Sequence, residues 1–296
     1  MKKKIIFVVN PIAGDIDKTE LIAAVNDFAE SKNFSLVTYE TQGDDTDLSQ
    51  IHELYIKHKP ERILVAGGDG TIKLVAEAVE KHDVILGIIP AGSANGLSTD
   101  LNLPAALQEN LEIAFHGDHI DMDMISINGI RSMHLSDLGL NAQLVRNYEQ
   151  GNTRGMLGYA LQAIQTLSES EGPFEAKIEA DGETIETTAR MIVIANTQKY
   201  GTGVTINPSG IMDDGKFEIV ILKNLDLIVF GKIITGNMPL DTGDVQIIST
   251  DKASISTNTK VSFQIDGEFC GMMDKLDIHI LPGQMKVAVP APVPES

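Results

Sequence analysis

Residues 61–79, ERILVAGGDGTIKLVAEAV, contain a strand-to-helix junction that indicates the fold of the first part of the chain. An apolar run over 63–66 leads into GGDGT at 67–71, and apolar residues at helical spacing follow. Glycines allow backbone N–H groups to approach a ligand closely, and the N-terminus of a helix favours a phosphate. A carboxylate at Asp69 repels a phosphate unless a cation or a sugar hydroxyl lies between them. The stretch therefore predicts a buried strand, a phosphate-binding turn and a helix.

The first 120 residues alternate between strand and helix patterns. Continuous apolar runs, such as the one at 5–9, are typical of parallel strands that are buried on both faces. The strand patterns cover 5–9, 36–39, 62–66 and 84–89, and the helix patterns cover 18–31, 48–57 and 71–82. This alternation predicts a Rossmann-like α/β nucleotide domain, whose ligand loops lie at the carboxyl ends of the strands.

After about residue 120 the pattern changes to short alternating strands. Residues 117–139 indicate a strand, an Asn-Gly turn and a second strand. Asp-Gly or Pro-Gly turns separate the later strand patterns, and two segments, about 153–169 and 225–236, have helical patterns instead. The second part of the chain is therefore predicted to be an antiparallel β domain.

The charge balance limits the classes of partner. The chain has 296 residues, of which 43% are hydrophobic, and a formal net charge of −19 with a pI near 4.6. Nucleic-acid binding needs clustered Lys and Arg, so we expect no nucleic acid as a partner. The same charge disfavours permanent binding to an anionic membrane but allows transient contact through one face.

Cysteine content and hydropathy predict a cytoplasmic location. Cys270 is the single cysteine, so no intramolecular disulfide forms, and a reducing compartment is the simplest expectation. The start, MKKKIIFVVNP, has too short an apolar stretch for a signal peptide. The sequence also has no apolar run of 18 residues, so no transmembrane helix is predicted.

Two further loops of small residues follow predicted strands. NPIAG at 10–14 follows the first strand, and PAGSANG at 90–96 follows the fourth. Parallel strands end at one edge of a sheet, so the three loops are expected to form a nucleotide-sized cradle. It is not a P-loop, because no Walker lysine occurs. Taken alone, residues 67–71 could also be a tight strand-to-helix turn capped by Thr71, but the two companion loops favour the cradle.

Asp-Gly-Glu occurs twice, at 181–183 and at 266–268. Asp-Gly is a strong hairpin signal, and the polar neighbours of the first copy predict a solvated hairpin. Apolar residues flank the second copy in alternation. We therefore expect a partly desolvated carboxylate there, which suits proton transfer.

Five motifs occur in the order NPIAG, GGDGT, PAGSAN, NPSGIMDDGKFEI and IDGE. They resemble the diacylglycerol kinase catalytic-domain family of bacterial soluble lipid kinases, which includes relatives of sphingosine and ceramide kinases. The resemblance covers roughly residues 4–289, although GGDGT by itself is shared with NAD kinases. It implies an α/β domain at 1–120 and a β-sandwich domain at 121–284, with the active site in the cleft and a terminal segment, 285–296, that returns to the first domain.

The resemblance also implies ATP and Mg²⁺ as cofactors. Asp69 would lie beside the phosphates and their magnesium ion, which would supply the cation that this carboxylate needs. The residues that match the ATP site are Asn10, Pro11, Gly14, Thr41, Gly67, Gly68, Asp69, Gly70, Thr71, Lys73, Gly92, Ser93 and Asn95.

Two further sites follow from the resemblance. Glu268 matches the general base, and Asp266 would assist it. Asp214 would bind a structural Mg²⁺ together with the carbonyl oxygens of Ile211 and Lys216, since oxygen ligands suit a hard cation. From the residues alone, a plain turn at 211–216 is equally consistent.

The function expected from the resemblance is an ATP-dependent lipid kinase that takes its acceptor from the membrane surface. Diacylglycerol is the default acceptor, and a sphingoid base, another glycerolipid or an undecaprenyl-type alcohol are open alternatives. A homodimer is compatible with the same resemblance. Two residues depart from the family pattern: Asp15 replaces a Lys or polar donor, and Gly96 replaces an Asp, so the phosphate cleft is more negative and lacks a carboxylate. These departures fit an alternative, a non-catalytic nucleotide or lipid sensor. An NAD kinase-like enzyme is the other alternative, which the lack of an Asn-Glu pair after the GGDGT loop disfavours.

Overall fold

The computed structural model describes residues 2–14, 18–92, 95–139, 142, 172–200, 204–224 and 243–291. These residues form two compact units. The first unit comprises the chain up to Met122 together with the segment from Gly283 onward, and the second comprises Asp123–Pro282. The predicted helices at 153–169 and 225–236 lie outside the described residues, as does Ser93.

The first unit alternates strands and helices in the predicted way. Its elements are β1 Lys3–Val9, α1 Lys18–Ser31, β2 Phe34–Glu40, α2 Thr46–His58, β3 Arg62–Gly67, α3 Asp69–Ala78, β4 Ile85–Pro90, α4 Gly96–Asp100 and α5 Leu107–His116. Helix α1 has the bounds that its apolar spacing predicts. Helix α3 ends four residues before the predicted boundary at 82, and Lys81 beyond it adopts a left-handed conformation with φ 65°.

The sheet of the first unit is parallel, in the order β4, β3, β1, β2. Residues 5–9 of β1 are all buried, as expected for a strand covered on both faces. Alternate residues Ile5, Phe7 and Val9 share one core cluster with apolar side chains of α1 and α5. Because all strands point the same way, the ends of β1, β3 and β4 lie at one edge of the sheet.

The second unit consists of antiparallel strands. Its elements begin with β5 Asp118–Ile127, which enters from the first unit, and continue with β6 Ile130–Ser132, β7 Leu135–Gly139, β8 Phe174–Ala180, β9 Glu183–Ala189, β10 Met191–Ala195, β11 Phe217–Leu222, β12 Val245–Thr250, β13 Lys252–Ile265 and β14 Glu268–Val289. The order β12, β11, β10, β7, β13, β14 forms the main path, and β8 pairs with β13 and β9. The last part of β14 belongs to the first unit, where Lys286 and Val287 pair in parallel with β4.

Side-chain alternation in the second unit fills a core on each face of its sheet. Ile192 and Ile194 of β10 belong to one cluster, whereas Met191, Val193 and Ala195 belong to another. The predicted fold class, an α/β domain followed by an antiparallel β-sandwich domain, is confirmed. None of the helices in the described part of the chain combines the length and apolar character needed to span a bilayer.

Candidate active site

The loop that follows β1, residues 10–14, is tied to the loop that follows β3, residues 67–71. The Asn10 N–H donates to the Ala66 carbonyl at 2.9 Å. The Asn10 side-chain amide donates to the Thr71 hydroxyl at 3.3 Å, while its Oδ1 accepts the Ile12 N–H at 3.1 Å. The side chain of Asn10 therefore sets both the local turn and its contact with the second loop.

Glycines allow these two loops and the loop after β4, residues 91–96, to touch backbone to backbone. A Cβ atom added to Gly14 would lie 2.8 Å from the Ala91 carbonyl oxygen, and one added to Gly92 would lie 2.4 Å from the Gly68 Cα. Gly14 also has φ +60°, a conformation that favours glycine. We call residues 10–14, 67–71 and 91–96 the first, second and third glycine loops. The three loops therefore lie together at one edge of the sheet, as the sequence predicts.

Asp69 is held by the start of helix α4. Its Oδ2 accepts the Gly96 N–H at 2.9 Å, and its Oδ1 accepts the Leu97 N–H at 3.2 Å. The carboxylate that follows two glycines therefore has peptide N–H partners, which joins the second and third glycine loops. A role of Asp69 beside phosphates and magnesium stays a prediction.

The remaining residues predicted for the ATP site lie on the same elements. Asn95 exchanges hydrogen bonds with the Gly92 N–H and carbonyl, both at 3.0 Å, and so closes the third glycine loop. Thr41 follows β2 and is buried, and its N–H donates to the Val9 carbonyl at 2.9 Å. Lys73 is half-buried on α3, whereas Pro11 and Gly70 are exposed.

A hydrogen-bonded carboxylate fixes the turn after Thr41. Asp47, in the first turn of α2, accepts the Tyr39 hydroxyl at 2.6 Å and the N–H groups of Gln42 and Gly43 at 2.9 and 2.8 Å. Burial alone would raise the pKa of the Asp47 carboxyl, but these hydrogen bonds outweigh it and hold the pKa below its ordinary value. Burial and the Asp47 carboxylate raise the pKa of Tyr39 to about 12.

Lys18 lies at the same edge and was not predicted from the sequence as a site residue. It begins α1 and is buried, and its ammonium donates to the carbonyls of Ala13 at 2.6 Å and Ala91 at 2.8 Å. The sequence does contain one indication of a special role for Lys18, since no other Lys or Arg occurs between residues 5 and 31.

In the second unit, the Asp266-Gly267 turn joins β13 to β14 and is held by Asp266. The Asp266 carboxylate accepts hydrogen bonds from the Ser132 hydroxyl at 3.0 Å and from the His134 N–H at 2.9 Å. The Met133 N–H lies between the two carboxylate oxygens, 3.2 Å from Oδ1 and 3.0 Å from Oδ2. The Asp266 N–H in turn donates to the Leu135 carbonyl at 3.0 Å. Asp266 is therefore a positioning residue for the turn on which Glu268 stands.

Gln264 and Asp137, which were not predicted from the sequence as site residues, also hold this turn. Gln264 Oε1 accepts the Gly267 N–H at 2.6 Å, and Gln264 Nε2 donates to the Asp137 carboxylate at 2.5 Å. The Tyr200 hydroxyl also donates to Asp137, at 3.2 Å. The bond between Gln264 and Asp137 is buried, and the other two are partly buried. The turn geometry therefore depends in part on Asp137, which is 127 residues from Gln264.

The partial desolvation expected for the second Asp-Gly-Glu copy is found at Asp266, which is half-buried, but is wrong for Glu268. Glu268 is the first residue of β14, directly after the turn, and it is exposed. Residues 261–265 are all buried, and this buried run ends at Ile265, because the chain then reverses through two residues with positive φ, Asp266 at 50° and Gly267 at 87°.

The first Asp-Gly-Glu copy is the hairpin that the sequence predicts. Asp181 and Gly182 have φ of 51° and 78° and connect β8 to β9, with Glu183 exposed. The Asp181 carboxylate accepts one hydrogen bond, from the Thr250 hydroxyl at 2.8 Å. The two turns therefore share a backbone conformation and differ in how many donors their Asp accepts.

The turn predicted to bind a structural Mg²⁺ is fixed by Asp123. The Asp123 carboxylate accepts the Gly215 N–H at 2.7 Å, and the Asp123 N–H donates to the Met212 carbonyl at 2.8 Å. Asp214 is exposed and accepts the Lys216 N–H at 3.0 Å. No group of three or more His, Cys, Asp or Glu in the described residues could hold a metal. The predicted set, one carboxylate with main-chain carbonyls of Ile211 and Lys216, has the oxygen chemistry that Mg²⁺ needs.

Two family models match the sequence along most of its length. The model of the diacylglycerol kinase catalytic domain matches residues 4–127, and the model of the YegS C-terminal NAD kinase beta sandwich-like domain matches residues 134–289. The chain belongs to the diacylglycerol kinase catalytic-domain family. Membership supports a kinase that uses ATP and, at the level of the family, a lipid kinase.

Relatives of the family are similar over nearly the whole chain. A diacylglycerol kinase of Bacillus subtilis is 26% identical over 282 residues, which cover 92% of this chain and 91% of that protein. A diacylglycerol kinase of Staphylococcus carnosus is 23% identical over 286 residues, with coverage of 92% and 91%. The crystal structure of a diacylglycerol kinase from Bacillus anthracis has a TM-score of 0.73 at 20% identity and 97% coverage of both chains, which shows a shared fold.

Proposed function

We propose that this chain transfers the γ-phosphate of ATP to the hydroxyl group of a lipid, with a diacylglycerol-type acceptor. One observation carries the proposal: three glycine loops lie in contact at the ends of β1, β3 and β4 in a member of the diacylglycerol kinase catalytic-domain family. The curated relatives that are named diacylglycerol kinase support the choice of acceptor.

The glycine loops suit the phosphates of ATP. Helix α3 begins at Asp69, so the positive end of its dipole lies in the second loop, where it favours a phosphate. Asp69 is the candidate ligand for the Mg²⁺ that accompanies the nucleotide, and Asp214 with the carbonyls of Ile211 and Lys216 is the candidate set for a structural Mg²⁺. When bound at the phosphates, Mg²⁺ supplies positive charge that neutralises the transferred group.

Glu268 is the candidate general base. It accepts the proton of the lipid hydroxyl, and the lipid oxygen forms a bond to the γ-phosphorus. The bond between that phosphorus and the β,γ-bridging oxygen breaks, and ADP leaves with the electron pair. Phosphoryl transfer depends mainly on positioning and charge neutralisation, so Asp266 and Gln264 contribute by holding the turn that carries Glu268.

The lipid substrate is taken from a membrane surface in this proposal. The formal net charge of −19 opposes lasting attachment to an anionic bilayer. The contact is therefore brief, and the protein works from the aqueous side of the membrane.

Transfer of labelled phosphate from ATP, with Mg²⁺, into a total lipid extract and into diacylglycerol–detergent micelles tests the proposal. We expect label in phosphatidic acid. Glu268→Gln should abolish turnover without a change in thermal unfolding, because Glu268 is exposed. Glu183→Gln, in the matching Asp-Gly-Glu turn, should keep wild-type activity.

Each result has a defined meaning. Undiminished transfer by Glu268→Gln contradicts the assignment of the base. Label in a different lipid class replaces diacylglycerol as the acceptor. Binding of Mg²⁺–ATP without transfer to any lipid would overturn the kinase proposal and favour a nucleotide sensor, which the Gly96 departure from the family motif would fit.

A further inference from the structure

Lys18 is a buried cation between two glycine loops. It is 7% exposed, and its ammonium donates to the carbonyl oxygens of Ala13 in the first loop and Ala91 in the third. These carbonyls are its hydrogen-bond partners among the described residues, and both are neutral groups. Removing a charge from water is unfavourable, and burial lowers the pKa of Lys18 from its ordinary value. A buried ammonium at this position therefore indicates a function of Lys18 other than filling space in the core.

The two carbonyls determine where two peptide N–H groups point. In a trans peptide the C=O and the following N–H point in opposite directions. The Ala13 carbonyl belongs to the peptide whose N–H is that of Gly14, and the Ala91 carbonyl belongs to the peptide of Gly92. By holding both carbonyls, Lys18 directs both N–H groups away from itself. The Gly92 N–H then meets Asn95 Oδ1 at 3.0 Å and closes the third loop.

Lys18 also keeps the two loops in contact. Gly14 lies so close to the third loop that an added Cβ would be 2.8 Å from the Ala91 oxygen. One ammonium bound to carbonyls of both loops stabilises this approach, in which two carbonyl oxygens would otherwise face each other without a donor between them. The positive charge also lies directly behind the Gly14 peptide.

We infer that Lys18 is a positioning residue for nucleotide binding: it orients the Gly14 N–H towards a phosphate of ATP and supplies the positive charge behind it. The inference deepens the proposed function and rests on the glycine loops being the ATP site. Between residues 5 and 31 the sequence has no other Lys or Arg, so Lys18 is the cation that this part of the chain can supply.

Lys18→Met, which keeps the length of the side chain and removes its charge, tests the inference in the full chain. We expect the Kd for Mg²⁺–ATP by calorimetry and the KM for ATP to rise about 10- to 100-fold, the size expected for losing hydrogen bonds to a charged group. We expect kcat at saturating ATP and the KM for lipid to differ from the wild-type values by less than about three-fold. Lys32→Met is the matched control, since Lys32 is a surface lysine that pairs with Glu112 at 2.6 Å.

Chemical rescue separates charge from packing. In a Cys270→Ser background, Lys18→Cys should have the same weak ATP binding, and aminoethylation of that cysteine, which restores an ammonium at the original length, should return the Kd to within about three-fold of the wild type. An unchanged Kd in folded Lys18→Met would overturn the inference. So would a loss of kcat with unchanged KM, an absence of rescue, or a failure of both neutral variants to fold, which would assign Lys18 to stability alone.

The Kd measurement also separates this inference from the proposed function. If the wild type binds Mg²⁺–ATP but phosphorylates no lipid, the kinase proposal fails and the Kd values of the Lys18 variants still decide the role of Lys18. If the wild type phosphorylates lipid and Lys18→Met binds ATP as the wild type does, the kinase proposal stands and the inference fails.

Discussion

Replacing Asp266 by Asn removes the charge that holds the turn before Glu268 while keeping the shape of the side chain. The carboxylate accepts hydrogen bonds from the Ser132 hydroxyl and from the N–H groups of Met133 and His134. Asn tolerates a left-handed conformation better than most residues, so the φ of 50° at this position adds little strain. The substitution therefore tests the hydrogen bonds and not the backbone.

The expected cost follows from the burial of the donors. Met133 is 1% and His134 5% exposed, so water cannot replace the lost acceptor. The amide of Asn offers one acceptor oxygen, and its NH₂ group would face an N–H donor. A hydrogen bond to a charged group contributes about 1.5–3 kcal/mol, and an unpaired buried donor costs about 1–3 kcal/mol. We expect the free energy of unfolding to fall by about 2–4 kcal/mol, and the melting temperature by roughly 5–15 °C for a unit of this size.

The chain provides a matched control in Asp181→Asn. Asp181 has nearly the same φ, 51°, in the same Asp-Gly-Glu sequence, but it is exposed and accepts one hydrogen bond, from Thr250. We expect this variant to lose at most about 1 kcal/mol. Urea unfolding and calorimetry of both variants measure the difference. Equal losses in the two variants, or a loss below about 1 kcal/mol for Asp266→Asn, would refute the argument that these buried donors hold the turn.

Two further predictions concern the first unit. Gly92→Ala brings a Cβ to 2.4 Å from the Gly68 Cα, so we expect about 1–3 kcal/mol of destabilisation and loss of ATP binding by calorimetry. Gly70→Ala should keep its melting temperature, because a Cβ added there would meet no atom within 4 Å beyond its own helix backbone and chain neighbours. Equal effects of the two substitutions would contradict the steric reasoning. The pKa of Asp47 is lowered in the folded state, so its contribution to stability is present above the ordinary Asp pKa and is lost as the pH falls through the lower folded value. Asp47→Asn should therefore be less stable than the wild type at neutral pH, and its unfolding free energy should depend less on pH in the range below about 5. Urea unfolding measured from neutral to acid pH checks this prediction. The control variant is Asp45→Asn, because the Asp45 side chain makes no capping hydrogen bond.

The sequence predicts the parallel sheet well because its signal is local. Strands β1, β3 and β4 contain short apolar runs, and each is followed within a few residues by a glycine loop, so periodicity and turn chemistry predict this strand–loop order along the chain. Helix α5 was not predicted. It packs so closely on β4 that a Cβ at Gly87 would lie 2.4 Å from the Ala114 oxygen, and that contact is not encoded in either segment alone.

The contacts that hold the candidate site could not be predicted, because they join residues far apart in the sequence. Asp266 and Met133 are 133 residues apart, and Lys18 and Ala91 are 73 apart. A pattern of residue types identifies an Asp in a turn or a Lys at the start of a helix. It does not identify the backbone groups that these side chains meet, which depend on how non-adjacent strands pair.

The three acids that the sequence predicts for catalysis differ in what they already bind. Asp69 accepts N–H groups of α4, and Asp266 accepts those of residues 133 and 134, so each carboxylate holds a loop in place. Substituting either one would disturb the site even if it never touched a substrate, and lost activity alone would not reveal a chemical role. Glu268 is exposed, and no hydrogen bond of its carboxylate occurs in the described part of the chain. Its carboxylate is therefore available for proton transfer, and of the three substitutions Glu268→Gln is the one whose effect on turnover bears directly on the chemistry.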